Sequence, residues 1–426
     1  MKKLLLVFVC LLMVLGTVGC GGDKPVDTGE AVTLTFWGHQ NDPWNANWRE
    51  TVKLFNEKYP NITIDLEFFP YDDFEAKVMA SLIDKEQGAD IYELWGGWGV
   101  DFVPNGTLAA LPDDMAAMIR EEFYEPTYGA LEHEGKIYGF PLEFNIESGG
   151  LLVNKNLANK YGISTPKTWD AMINDAKKAV EYKGKNMSVK GFDFVNWDGV
   201  PYLFTSMILS KGGNYHDASW NFTFNTEVGQ EAYQTLYDLV KVQKVTDMQG
   251  LIGGDEIEGY QQLFLDGVLF VPRGPWVIPE GADEFGVVYG VDFDYVPMPW
   301  YGDTPKFASE TGWSIAINSG SAKQEAAFLF LNFMAQDDIL EEHNITCAQI
   351  PAKKSVAQDP ALLDKMPFAA PLVGILDSAV FIGPFNTDIY KETINNNFQA
   401  FVSGKYKTAA DALKALDADM NKAING

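Results

Sequence analysis

Cysteine, histidine and basic side chains are all scarce in this chain, and each shortage weighs against a class of function. Of 426 residues only three are cysteine and four are histidine. None of His39, His133, His216 and His343 forms an H-E-x-x-H pair, and no cysteine pair lies near them, so a metal site has little support. No phosphate loop and no G-x-G-x-x-G run is present, and we expect no cofactor. Gly312-Trp313-Ser314-Ile315-Ala316 stops one residue short of a G-x-S-x-G nucleophile elbow, and its alternation reads as a strand. Lysine and arginine total 32 against 59 aspartate and glutamate. That balance argues against nucleic acid and anionic lipid as partners and disfavours phosphate, sulfate and acidic peptides, leaving a neutral or cationic ligand. Long apolar runs are missing too. Leu4 to Leu15 is nearly unbroken but falls short of the ~20 residues that span a bilayer as a helix.

What stands at the N-terminus is a secretory layout. Lys2 and Lys3 precede the apolar run, and Thr17-Val18-Gly19-Cys20 follows it. Small residues before a lone cysteine resemble the lipobox of bacterial lipoproteins. The resemblance implies removal of residues 1–19, acylation of Cys20, and a flexible tether over 20–31. An ordinary signal peptide cleaved nearby, with Cys20 incidental, is the alternative. Processing leaves 30 basic against 59 acidic residues, a net of −29. Cys10 goes with the leader and Cys20 carries lipid, so Cys347 is the one remaining thiol and no internal disulfide forms. A chain of this length does not need one, since its core is large.

Roughly 400 mature residues predict two or three domains. Leu34 to Trp37 reads as a strand. Trp48, Val52, Phe55 and Tyr59 recur at helical spacing, predicting a helix over 47–59 that starts at Asn47 and stops at Pro60. Ile62, Ile64, Leu66 and Phe68 alternate with Thr63, Asp65 and Glu67, a half-buried strand. A helix carrying Phe74, Val78 and Leu82 then leads to a strand at Asp90–Trp95. This order implies a parallel sheet covered by helices, in which ligands sit beyond the carboxyl ends of the strands. Attention falls on Trp37–Asp42 and on Trp95-Gly96-Gly97-Trp98. Further on, Lys136–Pro141 reads as a short hairpin and Gly150–Val153 as a strand. Thr168 is a plausible N-cap, and a helix runs over Thr226–Lys244. From Thr408 a C-terminal helix places Leu413, Leu416, Met420 and Ile424 on one docking stripe. No solenoid period is visible.

Tyr128-Gly129-Ala130-Leu131, Gly135–Pro141 and Leu152–Leu157 closely resemble blocks of the carbohydrate-binding family (family 1) of ABC-importer solute-binding lipoproteins, the relatives of maltose-binding protein. So do Thr165–Asp170, Phe264–Gly267 with Gly274-Pro275-Trp276, and Glu310–Ile317 with the helix Ala326–Met334. The blocks run in family order from about residue 32 to the end. The resemblance implies an α/β, two-lobe periplasmic-binding-protein-like fold of type II, each lobe a sheet flanked by helices. Its first lobe would take 32–142 plus 305–350 and its second 146–300 plus 355–426. Hinge crossings would lie near 143–147 and 298–304. It also implies a monomeric extracytoplasmic protein, held to the bacterial membrane by its lipid alone, that captures a sugar or oligosaccharide and delivers it to permease subunits.

A sugar ring offers an apolar face and a rim of hydroxyls, which aromatic rings and carboxylate or amide groups match. Trp276 is the first stacking candidate on the resemblance. Trp95 after its strand and Tyr202, expected in a second-lobe loop, come next, followed by Trp37, Trp98, Trp313 and Phe385. Polar candidates are Glu143 and Asn145 in the hinge crossing, Glu93 on the strand face of Trp95, Gln40, Asp42, Glu310 and Arg273. A structural ion pair explains Arg273 and Glu310 equally well, and a core or rim position is the bland reading of every aromatic. Trp48 and Trp169 are assigned to the core outright. The leading non-transport reading is a secreted glycosidase, since carboxylate pairs are abundant. A receptor of similar architecture for another solute, such as an anion or metal, is the third. Which sugar binds is not written in the sequence.

Overall fold

The computed structural model describes residues 29–83, 88–385 and 387–425. The expected leader, Cys20 and most of the expected tether lie outside them.

Two five-stranded sheets organise the chain. The first has spatial order Ile62–Phe69, Val32–His39, Ile91–Trp95, Trp313–Ile317, Phe140–Pro141. Its first three strands are parallel, as the alternating strands and helices predict, whereas Trp313–Ile317 runs antiparallel to both neighbours. The second sheet orders Phe293–Pro297, Gly150–Asn154, Val268–Pro272, Asn186–Phe192, Glu181–Lys183, with one parallel pair, between the last two long strands. The chain leaves the first sheet after Pro141 and enters the second at Gly150. It returns from Pro297 through Phe307–Ser309 to Trp313.

The helix expected from Asn47 spans Asp42–Lys58. Its cap is Asn41, whose side chain accepts from the Trp44 N–H at 3.3 Å, and Pro43 sits in the first turn, where a missing N–H costs nothing. Thr168 and Thr226 cap helices Trp169–Ala179 and Glu227–Lys241 by accepting the Ala171 and Gly229 N–H. Trp48 and Trp169 are buried. The stripe Leu413, Leu416, Met420 of helix Ala409–Asn425 is fully buried against the core of the second sheet, which also takes helix Asp388–Val402. Helices Gln324–Met334 and Asp337–Cys347 pack on the first sheet's side. Among the described residues no helix is long and apolar enough to cross a membrane, and no group of three or more His, Cys, Asp or Glu side chains could hold a metal ion.

Candidate functional site

A cavity of about 790 Å³ opens where the carboxyl ends of the parallel strands of both sheets face each other. From the first sheet's side come His39 and Trp95 at strand ends, Trp98 in the short turn after Trp95, and Trp313, which pairs across the sheet with Trp95. From the second come Arg273 and Trp276 after Val268–Pro272, and Trp197 and Asp198 after Asn186–Phe192. Glu143, Asn145, Glu147 and Glu310, on the connecting segments, line it between them.

Trp276 is an open aromatic plate, 38 % exposed. Its indole Nε1–H donates to Glu147 Oε1 at 2.8 Å, and the Arg273 guanidinium lies 4.7 Å from its ring centroid. Glu147 also accepts the Gly274 N–H at 3.0 Å. A Cβ at residue 274 would come within 2.8 Å of that carboxylate and displace it. Across the cavity, Trp95 lies beneath the Lys391 ammonium, 4.9 Å from its ring centroid, and stands edge-on to Trp98 at 6.2 Å. Gly97 makes room for it, since a Cβ there would sit 1.9 Å from the Trp95 indole. Trp313 stacks on His39 at 4.3 Å and 16°. Trp197, which sequence reasoning missed, is 39 % exposed and holds φ at 68°, a left-handed backbone that a bulky residue adopts only under constraint.

Nine acidic side chains line the cavity against Arg273 and Lys391, and neither cation is spare. Arg273 is buried among Glu258 (3.2 Å), Asp198 (3.4 Å) and Glu147 (3.6 Å). Lys391 is buried 2.8 Å from Asp198 and 3.9 Å from Glu310. Burial works against the Lys391 charge, but those carboxylates outweigh it and hold the ammonium above its ordinary range. Glu310 accepts from the Tyr202 hydroxyl and from Asn145 Nδ2 at 3.0 Å. Burial pushes Glu310 up to about 7, against the pull of Lys391. Glu143 has no ion-pair partner among the described residues. One of its oxygens takes the Trp313 N–H at 3.0 Å, and burial, reinforced by Glu147, Glu310 and Glu93, pushes it up to about 8. At neutral pH it is therefore largely a neutral carboxylic acid, able to donate as well as accept.

Nine of the fourteen ligand candidates read from the sequence line this cavity: Trp276, Trp95, Trp98, Trp313, Glu143, Asn145, Gln40, Arg273 and Glu310. Five do not. The first strand continues to His39, so Trp37 lies within it, packed edge-on to Phe69 and Tyr92 with Lys77 over its ring. Glu93 is fully buried, accepting from Trp48 Nε1 (2.9 Å) and from the His39 backbone (2.9 Å) and ring (2.8 Å). Asp42 is the exposed first residue of its helix, where a negative charge suits the dipole. Tyr202 sits in helix Gly199–Ser210 and not in a loop; it is buried behind the cavity lining, where its hydroxyl donates to Glu310 and the Lys391 ammonium lies 5.2 Å from its ring centroid. Phe385 packs in a ring cluster with Phe222 and Tyr390 and borders a neighbouring cavity. Besides Trp197, the sequence reading missed Trp44, Tyr71, Glu147, Asp198 and Lys391. Asn196-Trp197-Asp198 carried the signal used for Trp95, a tryptophan just past a strand; Lys391 lies on a helix and carried none.

The profile of the bacterial extracellular solute-binding protein family matches residues 38–340, and the chain belongs to that family. It is 26 % identical over 255 residues to the arabinooligosaccharide-binding protein of Halalkalibacterium halodurans, a match covering 58 % of this chain and 53 % of that protein. It therefore spans only about half the length of that relative. To the melibiose/raffinose/stachyose-binding protein MelE of Bacillus subtilis it is 25 % identical over 355 residues, covering 79 % and 78 %. The maltose-bound MalE3 of T. maritima superposes with a TM-score of 0.73 at 23 % identity, covering 92 % of this chain and all of that one. This likeness establishes the fold: the two-lobe α/β architecture of MalE-like, type II periplasmic binding proteins.

Proposed function

We propose that this protein is the extracytoplasmic receptor of an ABC importer, that it captures a sugar or oligosaccharide in the cavity between its two sheets, and that it performs no catalysis. The observation that carries the reading is the pairing of Trp95 and Trp313 on one wall with Trp276 and Trp197 on the other, around a floor of carboxyl and amide groups. Ring faces suit sugar C–H surfaces. Glu143, Asn145, Glu147 and Glu310 supply donors and acceptors for hydroxyls. Among the described residues that line the cavity, the two cations, Arg273 and Lys391, are both engaged by carboxylates, which disfavours a phosphate or carboxylate ligand. The named sugars of the relatives support the same class.

Ligand touching both walls binds the closed arrangement better and shifts the population towards it, with bending at the crossings near 143–147 and 298–304. The closed form then docks on permease subunits. The protein acts as a monomer, anchored through a lipid on Cys20 by the Thr17–Cys20 motif. A thermal-shift screen over mono- and oligosaccharides tests the function, because only a ligand of the folded form raises the melting temperature. Product analysis separates capture from hydrolysis: the sugar returns intact. No shift with any sugar, or released monosaccharide with turnover, overturns the reading. Metabolic labelling with an alkyne fatty acid, lost in Cys20→Ala, tests the anchor.

A further inference from the structure

A second cavity of about 380 Å³ adjoins the first, and Trp95, Trp98, Glu75 and Asp388 line both. The two spaces therefore share a wall formed by the perpendicular Trp95–Trp98 pair. The side chamber lies between two regions distant in sequence. One is the turn and short helix Gly96–Phe102 beside the first sheet, and the other is formed by the starts and ends of the last two helices, which pack on the core of the second. Its surface shares the acidic character of the main cavity. Trp95 offers ring surface, the exposed Ile389 with Val100 and Ile424 adds apolar contact, and Glu75, Asp101 and Asp388 place carboxyl groups around it. Burial, and after it the Asp388 charge, pushes both Glu75 and Asp101 above the ordinary carboxylate range.

Resting on the sugar reading above, we propose that the ligand is a linear oligosaccharide that runs from the main cavity past Trp95 and Trp98, with its far end seated in this side chamber. A monosaccharide or disaccharide fills only the main cavity. Longer chains gain the Ile389 and Ile424 surfaces and hydroxyl contacts to Asp101 and Asp388. Each added sugar that reaches the chamber gains on the order of one hydrogen bond to a charged group, roughly tenfold in affinity.

Calorimetric titration with linear arabino- and malto-oligosaccharides of increasing length tests this. For the linkage that binds, affinity should climb again once the chain outgrows the main cavity, then level off. Ala423→Trp plugs the chamber from an exposed helix position that lines it and does not line the main cavity. In that variant the short sugar should bind as before, and long chains should fall to the short sugar's affinity. Affinity that is flat with length, or long chains indifferent to the plug, overturns the extension while leaving sugar capture standing. Failure of every sugar to bind overturns both.

Discussion

Removing the Trp276 side chain isolates the contribution of one plate to capture. At 38 % exposure, and with roughly 250 Å² for a whole tryptophan side chain, a sugar ring laid on its open part covers on the order of 90 Å². At ~25 cal/mol per Å² that burial is about 2 kcal/mol, or roughly 30-fold in Kd. The fold should lose less, because Glu147 keeps its bond from the Gly274 N–H and its place beside Arg273 when the indole is gone. Trp276→Ala should therefore weaken binding roughly 30-fold by isothermal titration calorimetry while remaining cooperatively folded. Trp276→Phe, which keeps a ring but loses the N–H to Glu147, should fall between the two. An unchanged Kd for the alanine variant would refute the stacking role of this residue.

Glu143 titrates in the folded state near 8, above its ordinary carboxylate value, so the folded chain holds a proton that the unfolded chain releases. The penalty is absent below about pH 4.5 and grows as pH rises towards 8; the melting temperature of Glu143→Gln should fall less over that range than that of the natural protein. Lys391→Met leaves Asp198 and Glu310 without their shared cation, and denaturant titration should show a loss of about 3 kcal/mol. Trp197→Gly relieves the left-handed backbone, so its melting temperature should hold or rise while sugar affinity drops, a split that a merely structural tryptophan would not give. Gly97→Ala pushes a methyl into the Trp95 ring and should weaken binding by roughly tenfold, read by calorimetry.

Local chemistry was the legible part of the sequence. Thr168 and Thr226 cap helices through their own side chains, and alternation at Ile62–Phe68 marked a strand because one face must be dry. Helix Asp42–Lys58 was read short because its apolar pattern looked to begin at Asn47, whereas Asn41 closes the first turn through a hydrogen bond. The antiparallel insertion of Trp313–Ile317 beside Ile91–Trp95 joins segments more than two hundred residues apart, and no local pattern encodes it. The cavity divides the same way. Tryptophans flanking strand ends were visible, yet Trp37 looked equally good and is packed away because its strand runs two residues further. The sequence leaves Arg273 and Glu310 open between ligand contact and ion pairing, and they line the cavity while engaged in charge networks, a dual position that only the tertiary arrangement defines.

Capture as proposed requires one sugar ligand to touch aromatic plates from both sides of a single cavity. A crystal structure of the protein with the oligosaccharide that gives the largest thermal shift tests it directly. Sugar carbons should lie within ~4.5 Å of both Trp95 and Trp276, with hydroxyls bonded to the carboxyl groups between them. Sugar bound to one wall only, or at a surface remote from both tryptophans, would contradict it.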